Sequence, residues 1–409
     1  MEYEIYSAGR VALQSGISLP DCRIAYVTHG RLNAAKDNVV VFPSRYAGTH
    51  ADQTYLIGPG KALDPEQYFI VCVNMLGGGL SSSPSNTARP LSGPDFPLVT
   101  QYDNVVLQER LLREVFGVTQ IKLVCGWSMG GQQAFQWASL FPDRVATMAC
   151  FCGQGTTAPH THVFLEGVKQ GIITDPEWRG GYYEKPPYKG LMAKGRIWAG
   201  WALSQEWYRA KMWEKQGFAT LEDYLKGNWD GIYFNRDAND MLSLIATWQA
   251  CDLANNPLYN GDLKAAYSAI KARSIILPGR TDLYFPVADN AAEVAMMPNA
   301  ELRIIQPYNC TSTFTSLQHG WHRRGGIAQP YQHRVPRCGC PTTSNPAGLA
   351  QMHLKTGKRT LWPDNDTMFC RINADDIKWA ISIVSILAPA NTQTATLANR
   401  IIDHAVMLA

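Results

Sequence analysis

The chain has 409 residues, enough for one large α/β domain with an insertion or for two domains. Its apolar content of 46% is ordinary for a globular protein, and its formal net charge of +3, scattered without a long basic run, argues against a nucleic-acid partner. No stretch of about 18 apolar residues suggests a membrane-spanning helix, so no membrane association is expected. Met1-Glu2-Tyr3-Glu4 opens polar and acidic, unlike a signal peptide, which favours a cytoplasmic protein. Of ten cysteines, Cys72, Cys125, Cys150 and Cys152 sit inside apolar runs and read as buried free thiols. Cys338-Gly339-Cys340 is too close-set, without a nearby partner pair, for a zinc site, and no His/Asp/Glu cluster argues for a catalytic metal.

In chain order, residues 38–43 and 68–74 are β-branched apolar runs that predict buried strands. Each is followed by a loop rich in Gly and Ser. Residues 105–116 carry helical periodicity through Val106, Leu107, Leu111, Leu112 and Val115. Residues 121–124 predict another strand, and residues 132–140 a helix ending near Phe141-Pro142-Asp143. Strands are predicted at 145–150, 274–278 and 301–305. This alternation implies a mainly parallel sheet flanked by helices, with ligands at the carboxyl ends of the strands. Residues 156–262 break the pattern. They are rich in Trp, Tyr and Lys and predict helices over 190–217, 220–227 and 238–253, an inserted helical cap between core segments 1–155 and 263–409. Its Trp198, Trp201, Trp207 and Trp213 could line a pocket, but packing is the commoner use of such residues.

The chemistry is concentrated between strand 121–124 and helix 132–140. Gly126-Trp127-Ser128-Met129-Gly130 fits the small-x-Ser-x-small nucleophile elbow, in the strand–turn–helix context the motif requires. Such a turn strains the serine backbone, and the flanking glycines leave room where a side chain would clash. Ser128 is therefore the candidate nucleophile, and the Met129 N–H at a helix N-terminus a candidate oxyanion donor. The loop Ser44-Arg45-Tyr46 after the first strong strand offers the second donor, at the N–H of Arg45 or its neighbour. A serine needs a base, and the base a carboxylate. Asp282, on the loop after strand 274–278, follows the serine in the expected order. The base should follow residues 301–305; His319 is the first candidate and His322 the alternative.

With these residues in hand, the chain resembles the homoserine O-acetyltransferase family of the α/β-hydrolase fold, and looks closest to its acyltransferase-like hydrolases. The resemblance rests on Tyr46-Ala47-Gly48-Thr49-His50, Asn74-Met75-Leu76-Gly77-Gly78-Gly79, the elbow with Gln132-Gln133-Ala134, Arg236-Asp237-Ala238-Asn239, Trp248 with Asp252-Leu253, and Gly279-Arg280-Thr281-Asp282. It implies ping-pong acyl transfer: Ser128 takes an acyl group from a small-molecule ester, acyl donor or acyl-CoA, and an alcohol or water removes it. It implies no cofactor, and a homodimer as the family's common assembly. Arg196 resembles the family's position for an acceptor-binding arginine. The family's closing Trp-Gly-His is missing after Ile305, where Gln306 is followed by Pro-Tyr-Asn-Cys-Thr-Ser-Thr-Phe, and Arg323 stands where an Asp would bind an amino group.

The reading is thus a cytoplasmic serine-dependent ester hydrolase or O-acyltransferase of specialised metabolism. The alternatives are a homoserine O-acetyltransferase using acetyl-CoA and a non-catalytic ligand-binding protein of the same fold. Residues 306–370 show little periodicity and read as an irregular insertion or a translated intron. Under the intron reading, peptide mapping of the native protein recovers nothing between Thr311 and Arg359; recovery of such peptides eliminates it.

Overall fold

A computed structural model describes residues 2–305. They form one eight-stranded sheet: β1 (Glu4–Ala12), β2 (Ser18–His29), β3 (Val39–Pro43), β4 (Phe69–Val73), β5 (Leu123–Trp127), β6 (Thr147–Phe151), β7 (Arg273–Leu277) and β8 (Ala300–Leu302), in the order β1-β2-β4-β3-β5-β6-β7-β8. β1 and β2 pair antiparallel, as do β2 and β4; from β4 to β8 every pairing is parallel. In β3, Val39 and Val41 enter the core on one face of the sheet, and Val40 and Phe42 the core on the other. Burial on both faces is why this strand is apolar throughout.

The N-terminal hairpin β1–β2 has no counterpart in the sequence reading, because only alternate residues of β1 are buried and its apolar signal is weak. β5 starts two residues later than residues 121–124 suggest and runs on to Trp127, while Ile121 makes only an isolated bridge to Val145. The strand stops where Ser128 turns the chain. Helix α1 (Gln101–Phe116) begins ahead of its apolar periodicity because Thr100 and Asp103 form a capping box: the Asp103 N–H donates to Thr100 Oγ1 at 3.2 Å, and the Thr100 N–H to Asp103 Oδ2 at 2.9 Å. It ends at Gly117, φ 61°. Helix α2 (Met129–Leu140) follows the elbow directly and is buried along its whole length.

Between β6 and β7 the chain is helical. It holds α3 (Pro159–Ile173), α4 (Tyr188–Ala202), α5 (Gln205–Arg209), α6 (Met212–Lys215), α7 (Leu221–Tyr224), α8 (Ala238–Gln249) and α9 (Leu263–Ser268). The single helix expected over 190–217 is three. Ser204 Oγ accepts from the Trp207 N–H at 3.0 Å and starts α5, and Lys211, at φ 49°, separates α5 from α6. This segment is fastened to the sheet through α8. Gly77, at φ 79°, lies so close to α8 that a Cβ there would sit 2.6 Å from Ser243 Oγ. Asp240 accepts from the Ser85 N–H (3.0 Å) and hydroxyl (2.7 Å), and Thr247 donates to the Val99 carbonyl at 2.7 Å. After β7, helix α10 (Val287–Val294) leads to β8. Among the described residues no helix is long and apolar enough to cross a membrane.

Candidate active site

The elbow is built by backbone crowding. Ser128 has φ 57° and ψ −123°, a conformation L-residues seldom adopt. A Cβ on Gly126 would lie 2.1 Å from the Gly130 carbonyl, and one on Gly130 would lie 2.7 Å from the Pro43 carbonyl oxygen. Only glycine fits at either point. The Ser128 N–H donates to the Phe151 carbonyl on β6 at 2.9 Å, and its carbonyl accepts from the Gln132 N–H at 3.1 Å. Met129 is the first residue of α2, where a backbone N–H has no acceptor within the helix.

Ser128 opens onto a pocket at the carboxyl ends of the strands, shared with Arg45, Asp52, Cys152, Arg236 and Asp282. Of the seven non-glycine residues with positive φ among the described residues, three line this pocket: Ala47, Ser128 and Cys152. Strained backbone gathered at one cleft is a mark of a functional site. The remaining wall is mostly aromatic, with Ala202 and Ile232 among the rings. Tyr46 stacks on Trp198 with ring centroids 4.8 Å apart, and Trp248 on Phe285 at 5.6 Å. Of the tryptophans singled out in the sequence, Trp198 lines the pocket, whereas Trp207 and Trp213 pack on each other, with Trp207 against Tyr224. Trp201 lies against Phe164 and Tyr284.

Asp282 is 6% exposed. Its Oδ1 accepts from the N–H groups of Tyr284 (2.8 Å) and Phe285 (3.0 Å). Its Oδ2 is buried without a partner of hydrogen-bonding geometry among the described residues. Burial pushes the carboxyl up to about 6, against the two N–H groups and the neighbouring Cys152 thiol, which favour the charged form. Cys72, Cys125, Cys150 and Cys152 are buried free thiols.

Arg45 follows β3 and lines the pocket. Its guanidinium lies over the Trp127 ring at 4.8 Å, donates to the Tyr46 carbonyl at 2.9 Å and stands 3.7 Å from Asp52. Arg196 is not brought to the pocket. Its guanidinium is held by Asp230 at 2.6 and 2.9 Å and by Glu222 at 2.9 and 3.4 Å. The arginine that does reach the pocket from the helical segment is Arg236, in a stretch the sequence reading singled out without giving it a role. Behind the wall, Lys194 is fully buried, its Nζ 5.0 Å from the Tyr46 ring centre and 4.7 Å from that of Trp198, also packed over Tyr233. Burial holds its amine well below the usual lysine range. None of His29, His50, His160 and His162 lines the pocket. His319 and His322 lie outside the described residues.

Comparison with known proteins agrees with this architecture. Residues 38–188 match the model of the alpha/beta hydrolase fold family. The chain is 36% identical over 304 residues to an ethyl acetate hydrolase of Pseudomonas veronii, covering 74% of this chain and 86% of that protein. The chain belongs to the α/β-hydrolase family. This α/β-hydrolase is also 31% identical over 339 residues to a homoserine O-acetyltransferase of Chloroherpeton thalassium, covering 80% of this chain and 88% of that one. A solved acetylester hydrolase from Corynebacterium glutamicum superposes with a TM-score of 0.74 at 36% identity, over 77% of this chain and 91% of that chain. The α/β-hydrolase described here is an enzyme, an ester hydrolase or an acyltransferase.

The buried carboxylate has a cost to the fold. The folded state binds the Asp282 proton more tightly than the unfolded chain does, so its stability falls as pH rises from about 4 through about 6. Asp282→Asn keeps an oxygen for the two N–H donors and removes the charge. It is expected to flatten that dependence, so that the stability of the variant relative to the parent rises by up to about 3 kcal/mol between pH 4 and pH 8, read from urea midpoints. A relative stability that does not rise between pH 4 and pH 8 would contradict this assignment of the buried charge.

Proposed function

We propose that this α/β-hydrolase cleaves small esters through an acyl-enzyme on Ser128. The observation that carries the reading is the shared pocket: a strained serine at a helix N-terminus beside a buried carboxylate whose second oxygen has no partner of hydrogen-bonding geometry among the described residues. That oxygen is suited to the N–H of an imidazole. The base is assigned to residues 306–409, with His319 first and His322 second. The base takes the Ser128 proton as Oγ attacks the ester carbonyl. The Met129 N–H, with that of Arg45, receives the charge on the carbonyl oxygen. The tetrahedral adduct then expels the alcohol, which takes its proton from the imidazolium. Water, activated by the same base, releases the acid and restores Ser128.

The helical segment 156–262 acts as the cap, supplying Trp198, Trp229, Tyr233, Arg236 and Trp248 to the pocket wall. An aromatic wall beside the nucleophile suits a short acyl group on a small alcohol. The likeness to an ethyl acetate hydrolase supports hydrolysis. Arg196, tied to Asp230 and Glu222, gives homoserine as acceptor no support.

A serine-directed fluorophosphonate tests the reading, because labelling needs an activated nucleophile. The parent is expected to label, Ser128→Ala to lose all labelling, and one of His319→Ala and His322→Ala to lose most of it. Labelling that survives Ser128→Ala contradicts the nucleophile; labelling that survives both histidine changes contradicts the base. A parent that does not label favours the non-catalytic, ligand-binding alternative. Label passing from acetyl-CoA to homoserine would instead favour the acetyltransferase.

A further inference from the structure

We propose that Arg236 makes this a pocket for carboxylate-bearing substrates: the ester it turns over carries an anionic carboxylate on its acyl or its alcohol part, and the Arg236 guanidinium receives it. The proposal rests on the acyl-transfer reading above and names the substrate class for it. Arg236 is partly buried and lines the same pocket as Ser128 and Asp282. Among the described residues its side chain makes no hydrogen bond and no ion pair.

The nearby carboxylates are committed elsewhere. Asp237 caps α8, accepting from the N–H groups of Asn239 (2.9 Å) and Asp240 (3.0 Å), and takes the Tyr183 hydroxyl at 2.5 Å. Asp240 is held by Ser85. Asp52 accepts from the Thr49 N–H at 2.7 Å and stands beside Arg45. The other basic groups are also accounted for. Arg45 is engaged with Tyr46, Trp127 and Asp52, and Lys194 is sealed behind Tyr233 in a setting that favours the neutral amine. Among the described residues, the Arg236 guanidinium is therefore the arginine at this wall that no carboxylate pairs with directly; Asp240 reaches it only through its longer-range charge. A guanidinium stays protonated when partly desolvated, and its planar fork matches a carboxylate through two parallel hydrogen bonds. Flanking rings such as Trp229, Tyr233 and Trp248 exclude water around such a pair and strengthen it.

The test uses the full chain and two substrate pairs. Monoethyl succinate against ethyl butyrate places the carboxylate on the acyl side; O-acetyl-lactate against isopropyl acetate places it on the alcohol side. In at least one pair the parent is expected to prefer the anionic ester. Arg236→Gln is expected to lower the anionic-to-neutral ratio of kcat/KM on the order of tenfold, the scale of one hydrogen-bonded charge. Arg236→Lys is expected to lose less, since it keeps the charge without the fork. A ratio unmoved by Arg236→Gln in both pairs overturns the proposal. Turnover of none of the four esters would count against the hydrolytic reading and leave this one measurable, because quenching of the pocket tryptophans by succinate or lactate reports binding directly. Weaker quenching in Arg236→Gln then supports the carboxylate site; equal quenching, or none in the parent, overturns it.

Discussion

The structure turns on the close passage of two backbone segments at residues 126–131. Gly126 and Gly130 approach to a distance that leaves no room for a Cβ, and this lets the chain reverse from β5 into α2 within a single residue. Ser128 bears the strain of that reversal in its positive φ. The strain is held by the Phe151 carbonyl on β6 and by α2, which is buried along its length. The rigid sheet thus fixes where the hydroxyl stands, and the first turn of α2 directs backbone N–H groups to the same place.

The rest of the site is arranged around that point. Parallel strands β5, β6 and β7 end side by side, so the loops that follow them bring Ser128, Cys152 and Asp282 to one cleft. The helical segment covers it with rings, and α8 is fastened down through Ser85, Val99 and the close contact at Gly77. Burial of this kind opposes charge: it raises the Asp282 carboxyl and lowers the Lys194 amine. Such unfavourable burial is what a site retains when its groups are needed for something other than stability.

Much of this was legible in the sequence for identifiable reasons. The five buried parallel strands from β3 to β7 announce themselves as apolar runs because both their faces are covered. The elbow is legible because its glycines are dictated by contact. Asp282 is legible from its order and its place after β7. Other features were hidden. β1 buries only alternate residues, so its pattern is faint. The breaks between α4, α5 and α6 depend on one serine cap and one left-handed lysine. Arg196 and Arg236 are told apart only by their surroundings: one is paired with the carboxylates of Glu222 and Asp230, and the other forms no ion pair among the described residues. That is a fact of tertiary packing, and no local pattern encodes it.

The central claim is that Ser128 carries the acyl group between two steps. Mass analysis of peptides from the full chain, acid-quenched during turnover of para-nitrophenyl acetate, tests it most directly. The account predicts an acetyl increment on the peptide that contains Ser128, present during turnover and gone once substrate is exhausted. An acetyl group on another residue, or turnover with no acylated peptide when product appears in an initial burst, would contradict it.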